Sequence, residues 1–168
     1  LYSNMSIPPL LADVWAGARA VVLEKFDPAS FIEASDRYGG THFVMVPTMV
    51  QRVLESDAFN EHAFRATRIK YVGGSAETPQ LKNALKSRWP GALVVAYGQT
   101  EGGPYSLQYE YGDESKLGSV GRAVKGCELR IIGDDGRELG AGAVGEIAGC
   151  MGYMMTGYIN KPQQTEQI

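Results

Sequence analysis

Apolar positions in the first part of the chain change between helical and strand spacing. One set recurs three or four residues apart and predicts an amphipathic helix, namely Leu10, Leu11, Val14 and Trp15. Short continuous apolar runs predict buried strands at residues 20–23, 42–46, 69–72 and 93–96. The pattern therefore indicates several strands with helical segments between them.

Start and stop signals place helices between these strands. Asp27 followed by Pro28 predicts a capped helix start, and Gly39 predicts the end of that helix. Two further helices are predicted to begin at Pro47 and near Thr78. Strands that alternate with helices of about ten residues predict an α/β fold, with a largely parallel sheet flanked by helices on both faces.

The pattern changes at about residue 113, where glycines become dense and the apolar runs become short. Residues 128–132 and 143–148 are predicted strands, and an Asp-Gly turn at residues 134–137 indicates a hairpin. The sequence thus predicts an α/β subdomain over residues 1–112 and a small β-rich, barrel-like subdomain over residues 113–168. The polar end and the start at Leu1 indicate that the second unit is truncated and that the true N-terminus is missing.

Composition excludes several classes of function. The 168 residues are 44% hydrophobic and 21% charged, which is ordinary for a globular domain with its own core. A net charge of −3 without a basic stripe argues against nucleic acid as a partner. The apolar runs are too short to span a membrane, and no signal peptide is recognisable, so we expect a cytoplasmic protein.

The cysteines and histidines are too few for a metal centre. Cys127 and Cys150 are far apart in sequence and are expected to be buried and reduced. His42 and His62 are the only histidines, and neither is near a serine or cysteine in a triad-like arrangement. The remaining candidates for chemistry are therefore the loops that follow the predicted strands.

Two glycine-bearing loops follow predicted strands and are candidates for one ligand site. The first contains Gly73, Gly74, Ser75 and Ala76, and the second contains Tyr97, Gly98, Gln99, Thr100 and Glu101. Ligands of open α/β sheets bind beyond the carboxyl ends of the strands. A ring, a hydroxyl and a carboxylate together suit the base, phosphate and magnesium of a nucleotide. Taken alone, however, each loop is equally consistent with a simple turn or strand end.

An ordered series of motifs across nearly the whole chain resembles the adenylate-forming superfamily. This superfamily contains acyl- and aryl-CoA synthetases, nonribosomal-peptide adenylation domains and beetle luciferases, and the chain looks most like an acyl-CoA synthetase. The motifs are Val46-Pro47-Thr48-Met49, Gly73-Gly74-Ser75-Ala76, Tyr97-Gly98-Gln99-Thr100-Glu101, Gly118-Ser119-Val120-Gly121-Arg122, Gly145-Glu146-Ile147, and Gly157-Tyr158 followed by Pro162 and Thr165.

The resemblance implies a role for each residue of the two loops. Tyr97 would pack along the adenine, Thr100 would bind the α-phosphate, and Glu101 would bind the magnesium ion. Thr100 and Glu101 would thus be the catalytic residues. The cofactor-binding set implied in the same way comprises Gly73, Gly74, Ser75, Ala76, Tyr97, Gly98, Gln99 and Thr100. In many relatives a histidine lies near the position of Tyr2, where this chain has Ser3.

The implied function is an ATP-dependent acid–CoA ligase with ATP, Mg²⁺ and CoA as cofactor and cosubstrates. It would activate a carboxylic acid, expected to be a fatty acid, as acyl-AMP and then form the CoA thioester. An amino-acid-activating domain of a nonribosomal peptide synthetase is the alternative. The family's phosphate loop, ribose-binding Asp, hinge and catalytic Lys are not recognisable in these residues. We therefore expect a partial domain that is inactive alone, with self-association as a possible consequence.

Overall fold

The computed structural model describes residues 5–109 and 114–167, which form one larger and one smaller sheet. The strands are β1 (His42–Met45), β2 (Ile69–Gly73), β3 (Ala92–Gln99), β4 (Gly103–Tyr109), β5 (Arg122–Ala123), β6 (Glu128–Ile132) and β7 (Glu146–Cys150). The α-helices are α1 (Ile7–Trp15), α2 (Pro28–Tyr38), α3 (Pro47–Leu54), α4 (Pro79–Arg88) and α5 (Pro162–Thr165). Single 3₁₀ turns lie at Glu61–Phe64 and Glu114–Lys116.

The larger sheet confirms the α/β class and has the strand order β1-β2-β3-β4-β5. The pairs β1–β2 and β2–β3 are parallel, as the alternation of strands and helices predicted. β4 and β5 add antiparallel strands, so the sheet is mixed. The sequence pattern did not predict β4, because its proline and polar residues interrupt the apolar run on which a strand prediction depends.

The predicted helix boundaries are confirmed by local hydrogen bonds. Asp27 caps α2, since its Oδ2 accepts a hydrogen bond from Ser30 N–H over 2.9 Å. Gly39 ends α2 in the left-handed conformation, with φ of 62°. The Thr78 hydroxyl accepts from Leu81 N–H over 3.2 Å at the start of α4. These short-range signals therefore fix where α2 and α4 begin.

One aromatic cluster lies between the sheet and helices α2, α3 and α4. The strands contribute alternate residues that the register places on one face, namely Phe43, Met45, Val72, Leu93 and Val95. Trp89 is 1% exposed, and its ring centroid lies 3.8 Å from that of Phe64. Because the helices and strands bury the same side chains, this cluster holds the strand ends in a fixed arrangement.

The prediction of a strand at residues 20–23 is wrong. These residues form an extended loop, with Val21 46% and Val22 64% exposed. β1 takes its backbone partners from β2, and the loop lies across a cleft of about 520 Å³ from β1. An apolar run alone does not make a strand, because the backbone also needs a neighbouring strand to pair with.

The smaller sheet pairs β6 with β7 antiparallel. The turn at residues 134–137 folds back as expected, since Gly133 N–H donates to Arg137 O over 2.9 Å. β5 extends the larger sheet, and the predicted boundary at residues 112 and 113 lies outside the described residues. The division into two subdomains therefore stays a prediction.

The expected burial of both cysteines is wrong. Cys127 is half-buried and Cys150 is exposed, and both are free thiols. Cys127 directly precedes β6 and Cys150 is the last residue of β7, and this strand pair is exposed along much of its length, so neither lies in the aromatic cluster. In the part of the chain that the structure describes, none of the helices is both long and apolar enough to cross a membrane.

Lys70 is a fully buried cation within β2, and we expect it to be important for stability. Its Nζ donates to the carbonyl oxygens of Trp89, Pro90 and Gly91 over 2.5, 2.9 and 2.6 Å, so it binds three successive carbonyls of the segment that links α4 to β3. Lys70→Met leaves these three carbonyl oxygens, of which that of Trp89 is buried, without that donor. We expect the free energy of unfolding, measured by urea titration, to fall by about 1–3 kcal/mol.

Lys125→Met is the matched control for Lys70→Met, because Lys125 is exposed. We expect its free energy of unfolding to stay within about 0.5 kcal/mol of the unmodified chain. Equal urea midpoints for the two variants would contradict a stabilising role of Lys70.

Candidate active site

The two glycine-bearing loops lie side by side at the carboxyl ends of the parallel strands. Gly73 pairs with Ala96 in the β2–β3 ladder, so residues 74–76 continue beside residues 97–99. A Cβ on Gly74, which has φ of 90°, would lie 3.3 Å from Cγ1 of Val46 at the end of β1. The ends of β1, β2 and β3 thus form one edge, and the predicted site residues are together on it.

Gly98 is required by the hairpin that joins β3 and β4. The β3–β4 register shifts between Tyr97 and Gly98, and a Cβ on Gly98 would lie 2.1 Å from Gly103 O. Gly73 is similarly enclosed, since its Cβ would lie 2.8 Å from Ala96 O. Both glycines therefore have a packing role in the sheet, in addition to any contact that they make with a ligand.

Tyr97 and Gln99 both contact the buried ring of Tyr105. The ring centroids of Tyr97 and Tyr105 lie 6.4 Å apart at an angle of 51°. Gln99 Nε2 donates to the Tyr105 hydroxyl over 2.7 Å. Tyr105 is 3% exposed, so a buried ring lies beside the half-exposed Tyr97 ring.

The remaining loop residues are accessible from solvent. Gly74, Ser75 and Ala76 are exposed, which leaves their main chain available to a flat ligand. Thr100 is also exposed, in the turn between β3 and β4. The structure thus brings all the predicted residues to one edge, while their individual contacts with a nucleotide stay predictions. Tyr2 and Ser3, where relatives differ, lie outside the described residues.

The carboxylate of Glu101 is held by the segment that follows β7. The Tyr158 hydroxyl donates to Oε1 of Glu101 over 2.5 Å. This hydrogen bond, with a smaller contribution from a backbone hydrogen bond, keeps the pKa of Glu101 below its ordinary value. The same hydrogen bond raises the pKa of Tyr158. At neutral pH the carboxylate is therefore ionised and the phenol keeps its proton.

Sequence reasoning gave Tyr158 no role, although Gly157-Tyr158 was one of the motifs. Tyr158 lies 57 positions after Glu101 in the chain, and no local pattern links these two residues. The only signal was the tyrosine in a motif near the end of the sequence, which on its own is equally consistent with a packing residue.

The donor set at this edge fits magnesium. Among the described residues, no group of three or more His, Cys, Asp or Glu side chains lies together, so a metal site built of protein ligands alone is not present there. Mg²⁺ is commonly bound through one or two carboxylates together with substrate phosphates and water. Glu101 can supply one such carboxylate, whose Oε1 accepts the hydrogen bond from Tyr158.

Comparison with known proteins identifies the family to which the chain is similar. A family model described as "AMP-binding enzyme" matches residues 1–159. The 4-coumarate–CoA ligase 5 of Oryza sativa subsp. japonica is 32% identical over 173 aligned residues, which cover 99% of this chain and 32% of the ligase. The chain thus spans about a third of the length of the curated relatives it matches.

Solved structures of similar fold cover nearly the whole chain. The amide bond synthetase McbA of Marinactinospora thermotolerans is 28% identical with a TM-score of 0.83, over 96% of this chain and 34% of that protein. O-succinylbenzoate–CoA synthetase of Bacillus subtilis, solved with ATP and magnesium, has a TM-score of 0.84 at 22% identity, over 99% and 34% of the two chains. The second likeness concerns the fold alone.

Proposed function

Because the chain belongs to the AMP-binding enzyme family, we propose that it forms the nucleotide-facing part of an ATP-dependent acid–CoA ligase. The observation that supports this most directly is the edge where Thr100 and the ionised Glu101 follow β3, beside the loop after Gly73. This edge presents a hydroxyl, a carboxylate and exposed main chain. These groups match the hydrogen-bond donors and the metal ligand that a nucleoside triphosphate with bound magnesium requires.

In the proposed reaction, the acid's carboxylate oxygen attacks the α-phosphorus of ATP and pyrophosphate leaves. The Tyr97 ring, supported by Tyr105, would orient the adenine, and the Thr100 hydroxyl would donate to an α-phosphate oxygen. Glu101 would place the magnesium ion, which neutralises charge that builds up on the phosphates. A thiol then attacks the carbonyl carbon of the acyl-adenylate, forming the thioester and releasing AMP.

The relatives change the expected class of acid. The sequence motifs alone favoured a fatty acid, whereas the similar curated proteins, at 29–32% identity, are named 4-coumarate–CoA ligases. We therefore propose an aromatic acid of the hydroxycinnamate kind as the first candidate and a fatty acid as the second. An amino acid, as in a nonribosomal adenylation domain, stays the third.

ATP–pyrophosphate exchange by the complete enzyme that contains this chain tests the proposed function. We expect exchange that requires both magnesium and an acid, and that is fastest with a hydroxycinnamate in a panel of aromatic, fatty and amino acids. The 168-residue chain alone is the companion sample, and we expect no exchange from it. A folded enzyme that binds ATP but gives no exchange with any acid would contradict the ligase proposal.

The acceptor of the acyl group has a second candidate. An amine is supported by the likeness to McbA, an amide bond synthetase at 28% identity. Offering CoA and an amine together to the exchange-active enzyme, followed by product analysis, distinguishes a thioester from an amide.

Association of this chain with another surface is also part of the proposal. Leu11, Val14 and Trp15 of α1 are 61%, 70% and 93% exposed, which is unusual for three neighbouring apolar side chains. Either the rest of a longer enzyme or a second copy would cover them.

We also propose the cytoplasmic location that was expected from the sequence.

A further inference from the structure

Two hydrogen bonds fasten the segment after β7 to Glu101. The Tyr158 hydroxyl donates to Oε1 of the carboxylate over 2.5 Å. Met155 N–H donates to the Glu101 main-chain carbonyl over 2.8 Å. One bond fixes the backbone of Glu101 and the other fixes its side chain. The carboxylate is therefore oriented by a part of the chain far from it in sequence.

Tyr158 is itself held in place by its neighbours. The backbone N–H of Tyr158 donates to Thr165 Oγ1 over 2.9 Å. The Thr165 hydroxyl in turn donates to Lys161 O over 3.0 Å. Gly157 has φ of 151°, and a Cβ there would lie 2.8 Å from Thr165 Cγ2. Because this short loop closes on Thr165, the direction in which the phenol leaves the backbone is restricted.

We propose that Tyr158 is a positioning residue that fixes the Glu101 carboxylate so that a single oxygen, Oε2, is directed toward the magnesium ion of the bound nucleotide. This inference depends on the proposed function. A glutamate that is free to rotate about its last bond offers either oxygen, or both, to a cation. A hydrogen bond to Oε1 removes that freedom before the cation arrives, so less ordering is left to occur during binding.

The contact between Tyr158 and Glu101 has two candidate roles. If Tyr158 only tethers its segment to the rest of the chain, loss of the hydroxyl changes stability and leaves metal affinity as it was. If the phenol orients the carboxylate, loss of the hydroxyl weakens metal binding specifically. Magnesium in excess then restores the rate, because the metal site itself is still present.

Tyr158→Phe in the complete enzyme tests this, since it removes one oxygen atom and keeps the ring. We expect the magnesium concentration for half-maximal ATP–pyrophosphate exchange to rise about tenfold, from the loss of one hydrogen bond to a charged group. At saturating magnesium we expect kcat within about twofold of the unmodified enzyme. The affinity for Mn²⁺ in the presence of a non-hydrolysable ATP analogue, measured by electron paramagnetic resonance, should fall by a similar factor.

Tyr153→Phe is the matched control, because Tyr153 lies in the same segment and is 67% exposed. We expect both magnesium dependence and Mn²⁺ affinity to stay unchanged in it. An unchanged Mn²⁺ affinity in Tyr158→Phe, or a loss of rate that excess magnesium does not restore, would overturn the proposal. The Mn²⁺ measurement needs no turnover, so it tests Tyr158 even if the enzyme proves to activate none of the acids offered.

Discussion

Glu101→Gln in the complete enzyme should lower the rate of adenylate formation by about 10²–10³-fold, as removal of one preorganised electrostatic group does in other enzymes. The substitution keeps the size of the side chain but replaces an anionic oxygen ligand with a neutral amide. The Tyr158 hydroxyl can still donate to the amide oxygen, so the fold of the loop should be preserved. ATP–pyrophosphate exchange at saturating ATP and acid measures the effect.

Glu146→Gln is the matched control for the Glu101 prediction. Glu146 is also a glutamate of a family motif, but it is exposed on β7, in the smaller sheet. We expect its exchange rate to stay within about twofold of the unmodified enzyme, because surface substitutions away from a site change little. Similar rates for Glu101→Gln and the unmodified enzyme would remove Glu101 from the proposed mechanism.

Trp89→Ala should destabilise the chain by about 3–5 kcal/mol, as loss of a large buried ring does in protein cores. Its ring contacts those of Phe43 and Phe64, with centroids 5.2 and 3.8 Å away. Its Nε1 donates to Thr67 Oγ1 over 3.0 Å, so the change also removes a buried hydrogen bond. Because small domains are stable by about 5–15 kcal/mol, the loss is a large share of the total.

Urea unfolding followed by circular dichroism measures this loss, with Trp15→Ala as the control. In the isolated chain, at a concentration where it is monomeric, Trp15 is 93% exposed on α1, so its removal should change the free energy of unfolding by about 0.5 kcal/mol or less. The comparison uses the same substitution at two tryptophans that differ in burial. If the two variants unfold at the same urea concentration, the aromatic cluster does not stabilise the chain as we infer.

Local signals gave accurate predictions where one residue acts on its near neighbours. Asp27 caps α2 and Thr78 caps α4, because each side chain bonds to an N–H three residues ahead. The order of loops and parallel strands then followed from the chain topology, so the shared edge of the 73–76 and 97–101 loops was predictable.

Predictions failed where the outcome depends on a partner distant in sequence. The run at residues 20–23 has the apolar character of a strand, but β1 pairs with β2 and leaves that run across a cleft. β4 lacks such a run, yet it is a strand because β3 and β5 provide its backbone partners. Pairing, and not composition, decides these cases.

The sequence by itself determined the family, the α/β class, the helix boundaries and which residue types gather at the ends of the strands. These depend on spacing, on capping side chains and on motifs, all of which are local. Only the tertiary structure decided that Tyr158 donates to Glu101, that Gly98 is enclosed by the β3–β4 hairpin, and that Lys70 donates to the carbonyls that follow α4. Each of these depends on two atoms brought within a few ångströms by packing, and a one-dimensional pattern does not specify such distances.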